Sequence, residues 1–322
     1  MQKVTQHDLR RRIAKISTQF TIVIILLVIC ILASCITPAF LGRKNLINIV
    51  RQISFTAVIA FGSTFVLTVG GIDLSPGSIV SLVSVVSAMA SRAGLPVWLC
   101  VLVGIGAGAL CGLINGALIA TAKIPPFIVT MGMMTVAAGI ALLISDGRPI
   151  NGLQSSFTVI GAGTLLNIPV PVYILVLIMC VCHIVLNHTV FGRHVKAVGS
   201  SEHAAMMSGI NVSLVKVMTF TIAGGLAGLS SIMLTARLHS GQPMAGDGMQ
   251  MDAIAAAVIG GTSLKGGVGT IFGTICGALI IGVINNMMDL MNINMYWQDI
   301  VKGVIIVGAV ILDARKYARR TA

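Results

Sequence analysis

Arg193-His-Val-Lys-Ala-Val-Gly-Ser-Ser-Glu-His-Ala-Ala-Met-Met-Ser-Gly-Ile-Asn211 is the longest polar interruption in a very apolar sequence, and it holds the only glutamate, Glu202. Ser201 is suited to cap a helix whose first residue, Glu202, complements the positive end of the helix dipole, and Gly209 to close it in a left-handed conformation. The pattern predicts about two turns of helix lying outside any membrane span.

Everything around this stretch reads as membrane. Of 322 residues 56% are apolar and only 9% charged, which excludes an ordinary soluble domain. Apolar runs bounded by charge, Gly, Pro or Asn fall at 20–36, 46–69, 76–93, 96–121, 126–144, 170–186, 214–236, 253–264, 267–291 and 300–312. The expectation is therefore an all-α polytopic membrane protein of about ten spans. Its parts are a basic N-terminus at 1–19, a transmembrane region at 20–312 that contains a polar loop at 188–213, and a basic tail at 313–322. A Leu32-Ala33-Ser34-Cys35 sequence has the look of a lipoprotein cleavage site, but the many runs after it favour an uncleaved first span.

An even number of spans puts both termini on one side, and basic residues at both ends put that side in the cytoplasm. With this choice fourteen Lys and Arg lie inside and seven lie outside or at outer span ends, with Arg43, Lys44 and Arg51 running against the bias. The net charge of +12 is thereby explained by topology, and no nucleic-acid partner is expected. The seven cysteines lie in or beside apolar runs without metal or disulfide spacing, and read as packing residues.

The run 253–264 is too short to cross as a straight helix and ends in Gly260-Gly261, the mark of a broken or re-entrant element. Gly70-Gly71-Ile72-Asp73-Leu74-Ser75-Pro76-Gly77 resembles Gly260-Gly261-Thr262-Ser263-Leu264-Lys265-Gly266-Gly267, with glycines and a leucine at matching offsets. Broken elements are thus expected near 70–77 and 260–267, and the two are either internal repeats or chance likenesses of Gly-rich turns. The segments at 145–152 and 239–250 read as turn-rich loops on the outer face.

No phosphate-binding Gly-x4-Gly-Lys-Ser/Thr loop, His-Glu-x-x-His or Gly-x-Ser-x-Gly occurs, so neither ATP hydrolysis nor intramembrane hydrolysis is expected of this chain. Ionisable groups are almost absent from span interiors, which disfavours an ion-coupled secondary transporter of a small neutral solute, the main alternative. Asp252 is expected to cap the helix starting at Ala253, and Asp299 to pair with Lys302. Asp73 either binds amides of its own turn or lines an exit, and Ser75 before Pro76 reads as a helix N-cap. The candidate substrate pathway consists of Asp73, Ser75, Asn115, Thr262, Ser263, Asn285 and Asn286, uncharged or span-end groups suited to many weak hydrogen bonds with a polyhydroxylated solute.

Three stretches, Gly71-Ile72-Asp73-Leu74-Ser75-x-Gly77-Ser78, Ala204-Ala205-x-x-Ser208-Gly209-Ile210-Asn211, and Asp252-Ala253-Ile254-Ala255 followed by Gly260-Gly261-Thr262-Ser263-Leu264, resemble the permease subunits of bacterial ribose-type ABC importers. The likeness covers nearly the whole chain in order. It implies a multi-pass protein of the bacterial inner membrane, in contact with membrane lipid and working as a homodimer or with a homologous permease. The implied partners are an ABC ATPase subunit that itself binds ATP and magnesium, and a periplasmic sugar-binding protein that delivers a monosaccharide. The 199–211 segment corresponds to the part that docks on the ATPase, with Gly199, Ser201, Glu202, Ala204, Ala205, Met206, Ser208 and Gly209 as the coupling candidates. This chain departs from the family pattern at Ser201, where Asn is common, and at Met206, where a basic residue is common.

Overall fold

The computed structural model describes the backbone of residues 22–321, and the side chains in that range apart from 309 and 312–321. The basic stretch at 1–19 and the final residue lie outside the described residues. Helices dominate, in the order α1 (Ile22–Ile36), α2 (Arg43–Thr68), α3 (Pro76–Arg92), α4 (Val97–Thr121), α5 (Pro126–Ser145), α6 (Ser155–Ala162), α7 (Val170–His188), α8 (Val190–Ser200), α9 (Glu202–Met207), α10 (Val212–Leu238), α11 (Met249–Ile259), α12 (Ile271–Leu290) and α13 (Met295–Thr321). A two-stranded hairpin, β1 (Thr164–Leu165) and β2 (Ile168–Pro169), turns through Leu166 and Asn167, both at positive φ.

Each of the ten apolar runs overlaps a helix. Among the described residues six helices, α2, α4, α5, α7, α10 and α12, are long and apolar enough to cross a membrane. That is fewer than the ten expected. Of the other four runs, those of α3, at 17 residues, and α11, at 11, give helices short of that length, while α1 and α13 are described only in part. At 1.5 Å per residue α2 reaches about 39 Å while α11 reaches only about 17 Å.

The centre of the molecule is α2 with α10 beside it. The most apolar stretch of α2 is 78% buried, against 22% for those of α5 and α7. Those two helices keep apolar side chains such as Phe127, Ile140 and Leu177 on the surface. Close approach of α10 to α4 rests on absent side chains. A β-carbon on Gly108 would overlap the Gly224 carbonyl, and one on Gly104 would sit 2.9 Å from Ile232 Cδ1. Small residues at four-residue spacing let two backbones touch where lipid provides no hydrophobic drive between helices.

The segment between α10 and α11 does not stay at the surface, as a turn-rich outer loop would. Gly241 pairs with Ile150 through two backbone hydrogen bonds of 2.8 Å. The chain then descends along α3: Gly241 lies against Ala88, Gln242 N donates to Ser84 Oγ at 3.0 Å, and Gly246 N donates to Ser81 Oγ at 3.1 Å and packs on Gly77. From Ala88 to Gly77 this is a descent of about 16 Å. Irregular backbone at such depth needs donors and acceptors from neighbouring protein. Here serine hydroxyls on one face of α3 supply them.

The two Gly-rich turns are one motif with a register one residue away from that read in the sequence. At the end of α2, Gly70 has φ +87°, Gly70 N donates to Leu67 O, and Gly71 N donates to Val66 O. At the end of α11 the equivalents are Gly261 with φ +90°, its bond to Val258 O, and Thr262 N to Ala257 O. Both are Schellman closures. Gly70 therefore matches Gly261, because left-handed φ, not glycine pairing, fixes the alignment. The turns lie together: Leu74 and Leu264 cover the cluster of Leu67, Ile254, Ala257 and Val258, and Thr64 Oγ1 meets Thr274 Oγ1 at 2.7 Å.

Candidate functional site

The polar stretch contains two helices, not one. Thr189 Oγ1 caps α8 by accepting from Gly192 N at 3.2 Å, and α8 buries Gly192, Val195 and Val198 on a single face. Ser201 ends α8 in an extended conformation, and its Oγ accepts from Ala204 N at 3.3 Å to start α9. The predicted cap is therefore in place. Gly209, at φ +80°, closes α9, with Ile210 N donating to Ala205 O. Asn211 Oδ1 then caps α10 through Leu214 N at 3.0 Å. The helix is six residues long, just short of the two turns expected.

Of the eight coupling candidates, Ser201, Glu202, Ala204, Met206, Ser208 and Gly209 are exposed. Met206 and Met207 are 55% and 70% exposed, giving α9 an apolar tip. Ala205 corrects the expectation that it sits with them: it is 4% exposed and belongs to the core beneath the helix. Glu202 is tied to the chain's own α10, its Oε2 lying 2.8 Å from Lys216 Nζ. Gly199 is only half-exposed, and it forms the junction between α8 and both Gly-rich turns. A β-carbon there would overlap Thr68 O and lie 2.6 Å from Gly267 N; the Gly267 N–H itself donates to Thr68 O at 2.9 Å. Three backbones meet at this point with no side chain between them. α8 is therefore in direct backbone contact with the end of α2 and with the Gly-rich turn between α11 and α12.

The seven pathway candidates fall into separate places. Asp73 Oδ1 accepts from Ser75 N at 2.8 Å and from Ser75 Oγ at 2.6 Å, so the carboxylate binds its own turn. Ser75 occupies the N-cap position of α3, yet its hydroxyl serves Asp73 and makes no capping bond. Asn115 Nδ2 on α4 donates to Ser75 Oγ at 3.0 Å, and Thr130 of α5 bonds Leu74 N and Ile72 O. Burial pushes the Asp73 carboxyl above its ordinary pKa, with the Ser75 hydrogen bonds opposing the shift. In the other turn, Thr262 is fully buried and Ser263 Oγ accepts from Lys265 N at 3.3 Å.

At the far end of α12, Asn286 exchanges two hydrogen bonds with Asn45 of α2, at 2.8 and 2.9 Å. It joins α12 to α2. Its neighbour Asn285 donates to Asp252 Oδ2 at 3.4 Å, and Lys302 Nζ lies 3.5 Å from the same oxygen. This corrects two expectations: α11 starts at Met249 after a left-handed Gly248, which leaves Asp252 inside the helix, and Lys302 pairs with Asp252 in place of Asp299. Buried oxygens without a partner remain on Asn115 Oδ1, Thr262 Oγ1, Asn285 Oδ1 and Asp252 Oδ1.

Sequence reasoning missed α8 and the serine face of α3. The serines at 81, 84, 87 and 91 recur at helical spacing, a signal for a hydroxyl stripe within an apolar run. The Ser91 hydroxyl accepts from Gln154 N at 3.1 Å, extending the stripe to the α6 entry.

Comparison with known proteins completes the description. The ribose import permease protein RbsC of Bacillus subtilis is 45% identical over 91% of this chain and 92% of its own length. That of Haemophilus influenzae is 42% identical over 90% and 91%. The L-arabinose transport system permease protein AraH of Escherichia coli is 35% identical over 95% and 94%. No solved structure matches the chain. Residues 45–310 match the family described as the branched-chain amino acid transport system / permease component, and the chain belongs to that family of membrane permeases.

Proposed function

We propose that this chain is the transmembrane permease of an ATP-dependent importer of a monosaccharide, a pentose or hexose. Its relatives named for ribose and L-arabinose import align along nearly their whole length, which supports a sugar and gives no support to ion coupling. The permease is paired with a copy of itself or a homologous permease, in the bacterial inner membrane, with lipid on the apolar faces of α4, α5 and α7. The Lys and Arg bias supports cytoplasmic termini and a cytoplasmic α8–α9. An ABC ATPase subunit supplies ATP and magnesium binding and docks on α9, with Glu202, Met206, Ser208 and the neighbouring Met207 as its contacts. A periplasmic binding protein delivers the sugar.

The observation that carries this reading is the meeting of Gly199, Thr68 and Gly267. An exposed helix with an apolar tip suits a groove on a partner. The helix before it is locked by backbone contact to the end of α2, the most buried of the six long helices, and to the Gly-rich turn between α11 and α12. Closure of the ATPase on α9 moves α8 as a lever, and α8 displaces both turns together. The pathway contains Asn115 and Thr262, whose buried oxygens lack partners and would accept from sugar hydroxyls as the turns shift.

Reconstitution of the permease with its ATPase and binding protein tests the reading directly. Sugar uptake that requires ATP is the expected result. Uptake driven by an ion gradient with no ATPase present would overturn it.

A further inference from the structure

Toward the Arg43 end of α2 and the Leu238 end of α10, two arginines lie beside one aromatic ring, and neither is paired with a carboxylate among the described residues. Arg51 and Phe55 are one turn apart on α2 and share a face. Arg237 Cζ lies 5.9 Å from the centroid of the Phe55 ring, and Ser230 Oγ donates to Phe55 O at 2.8 Å, which holds α10 at this distance. Phe55 thus neighbours both arginines, with Arg237 over its ring and Arg51 one turn before it on α2. Arg51 Nε and Arg237 Nη1 are both buried and have no acceptor. The ion pairs formed among the described residues, Glu202 with Lys216 and Asp252 with Lys302, involve neither arginine.

Two partly buried cations beside one aromatic ring, each with an unused donor, raise the energy of the folded chain. The Phe55 ring offsets part of that cost for Arg237 alone. A planar guanidinium fork matches the oxygens of a carboxylate or phosphate, and two forks from different helices can hold one such group between them. We propose that Arg51 and Arg237 form a two-arginine site for an oxyanion. The group is a phosphate or carboxylate that neutralises the pair and fastens α10 to α2. Neither the sugar pathway nor the ATPase contact involves these residues, so the site is independent of the transport reading.

The test uses the full-length permease in neutral detergent, with thermal unfolding followed as inorganic phosphate is raised against chloride at equal ionic strength. A parallel series compares nanodiscs of phosphatidylglycerol with nanodiscs of phosphatidylcholine. Wild-type protein is expected to be stabilised by phosphate, by phosphatidylglycerol, or by both, and the pattern tells a soluble anion from a lipid headgroup. R51Q and R237Q should each raise the half-maximal phosphate concentration, or the phosphatidylglycerol fraction needed, by about 10-fold or more. R51K and R237K keep the charge but lose the fork, and should fall between. These variants also serve if the glutamine variants do not fold. Absence of stabilisation by either probe, or an unchanged response in the variants, would overturn the site.

Discussion

The Cα of Gly199 faces the carbonyl oxygen of Thr68 so closely that no β-carbon fits between them. That carbonyl also accepts the Gly267 N–H. Gly199→Ala must therefore displace backbone, since no flexible side chain can give way. The expected outcome is about 1–3 kcal/mol of lost stability and a larger loss of transport. Gly209→Ala is the contrast. Nothing lies within 4 Å of its added methyl, but its φ of +80° is strained for alanine, so it should cost about 1 kcal/mol through the backbone alone. Thermal unfolding beside ATP-driven uptake separates the two. If both variants lose uptake only in proportion to stability, the junction is structural and does not transmit movement.

Glu202→Lys breaks the ion pair with Lys216 and puts a positive charge in its place. The carboxylate is exposed, and the pair is worth about 0–1 kcal/mol, so the unfolding temperature should barely move. Co-purification of the ATPase should fall. Unchanged ATPase recovery and unchanged transport would remove Glu202 from the contact.

The apolar tip of α9 gives a sharper comparison. Met206→Ser and Met207→Ser alter surface residues and should leave the fold intact while reducing ATPase docking, for which affinity is the readout. Ala205→Leu, one residue away, must enlarge a buried side chain and should destabilise by about 1–3 kcal/mol. Equal effects on docking at constant stability from all three would show that Ala205 reaches the partner after all.

Much of this arrangement was legible in the sequence for reasons that can be named. Apolar runs, Ser201 before Glu202, and Gly209 at the end of a short helix carry local information, and the local physics prevails there. What stayed hidden depended on contacts across the fold. α8 carries Arg193 and Lys196 on one side with Val195 and Val198 on the other, so an apolar-run search passes over it. The register of the Gly-rich turns depended on which glycine adopts positive φ, and paired glycines do not reveal that. Asp252 resembled a cap because Asp often is one, whereas the left-handed Gly248 starts α11 four residues earlier. The pathway candidates are polar in the sequence, but only their partners distinguish Asn286, spent on Asn45, from Asn115, whose oxygen is free.

The descent of 241–246 along α3 yields the last prediction. Ser84 Oγ accepts from Gln242 N at 3.0 Å and from Thr235 Oγ1 at 2.8 Å, so one hydroxyl anchors both the irregular segment and α10. Ser84→Ala leaves a half-buried N–H and a buried hydroxyl without their acceptor. Each orphaned group costs about 1–3 kcal/mol, and irregular backbone at that depth has no water to turn to. The variant should lower the unfolding temperature and raise amide exchange at 241–246 first. Ser78→Ala, on the same helix and without such a bond to the segment, should be close to neutral. Equal stability of the two variants would mean that the segment holds its depth by packing of Gly241 and Gly246 alone, and the serine stripe would lose its role.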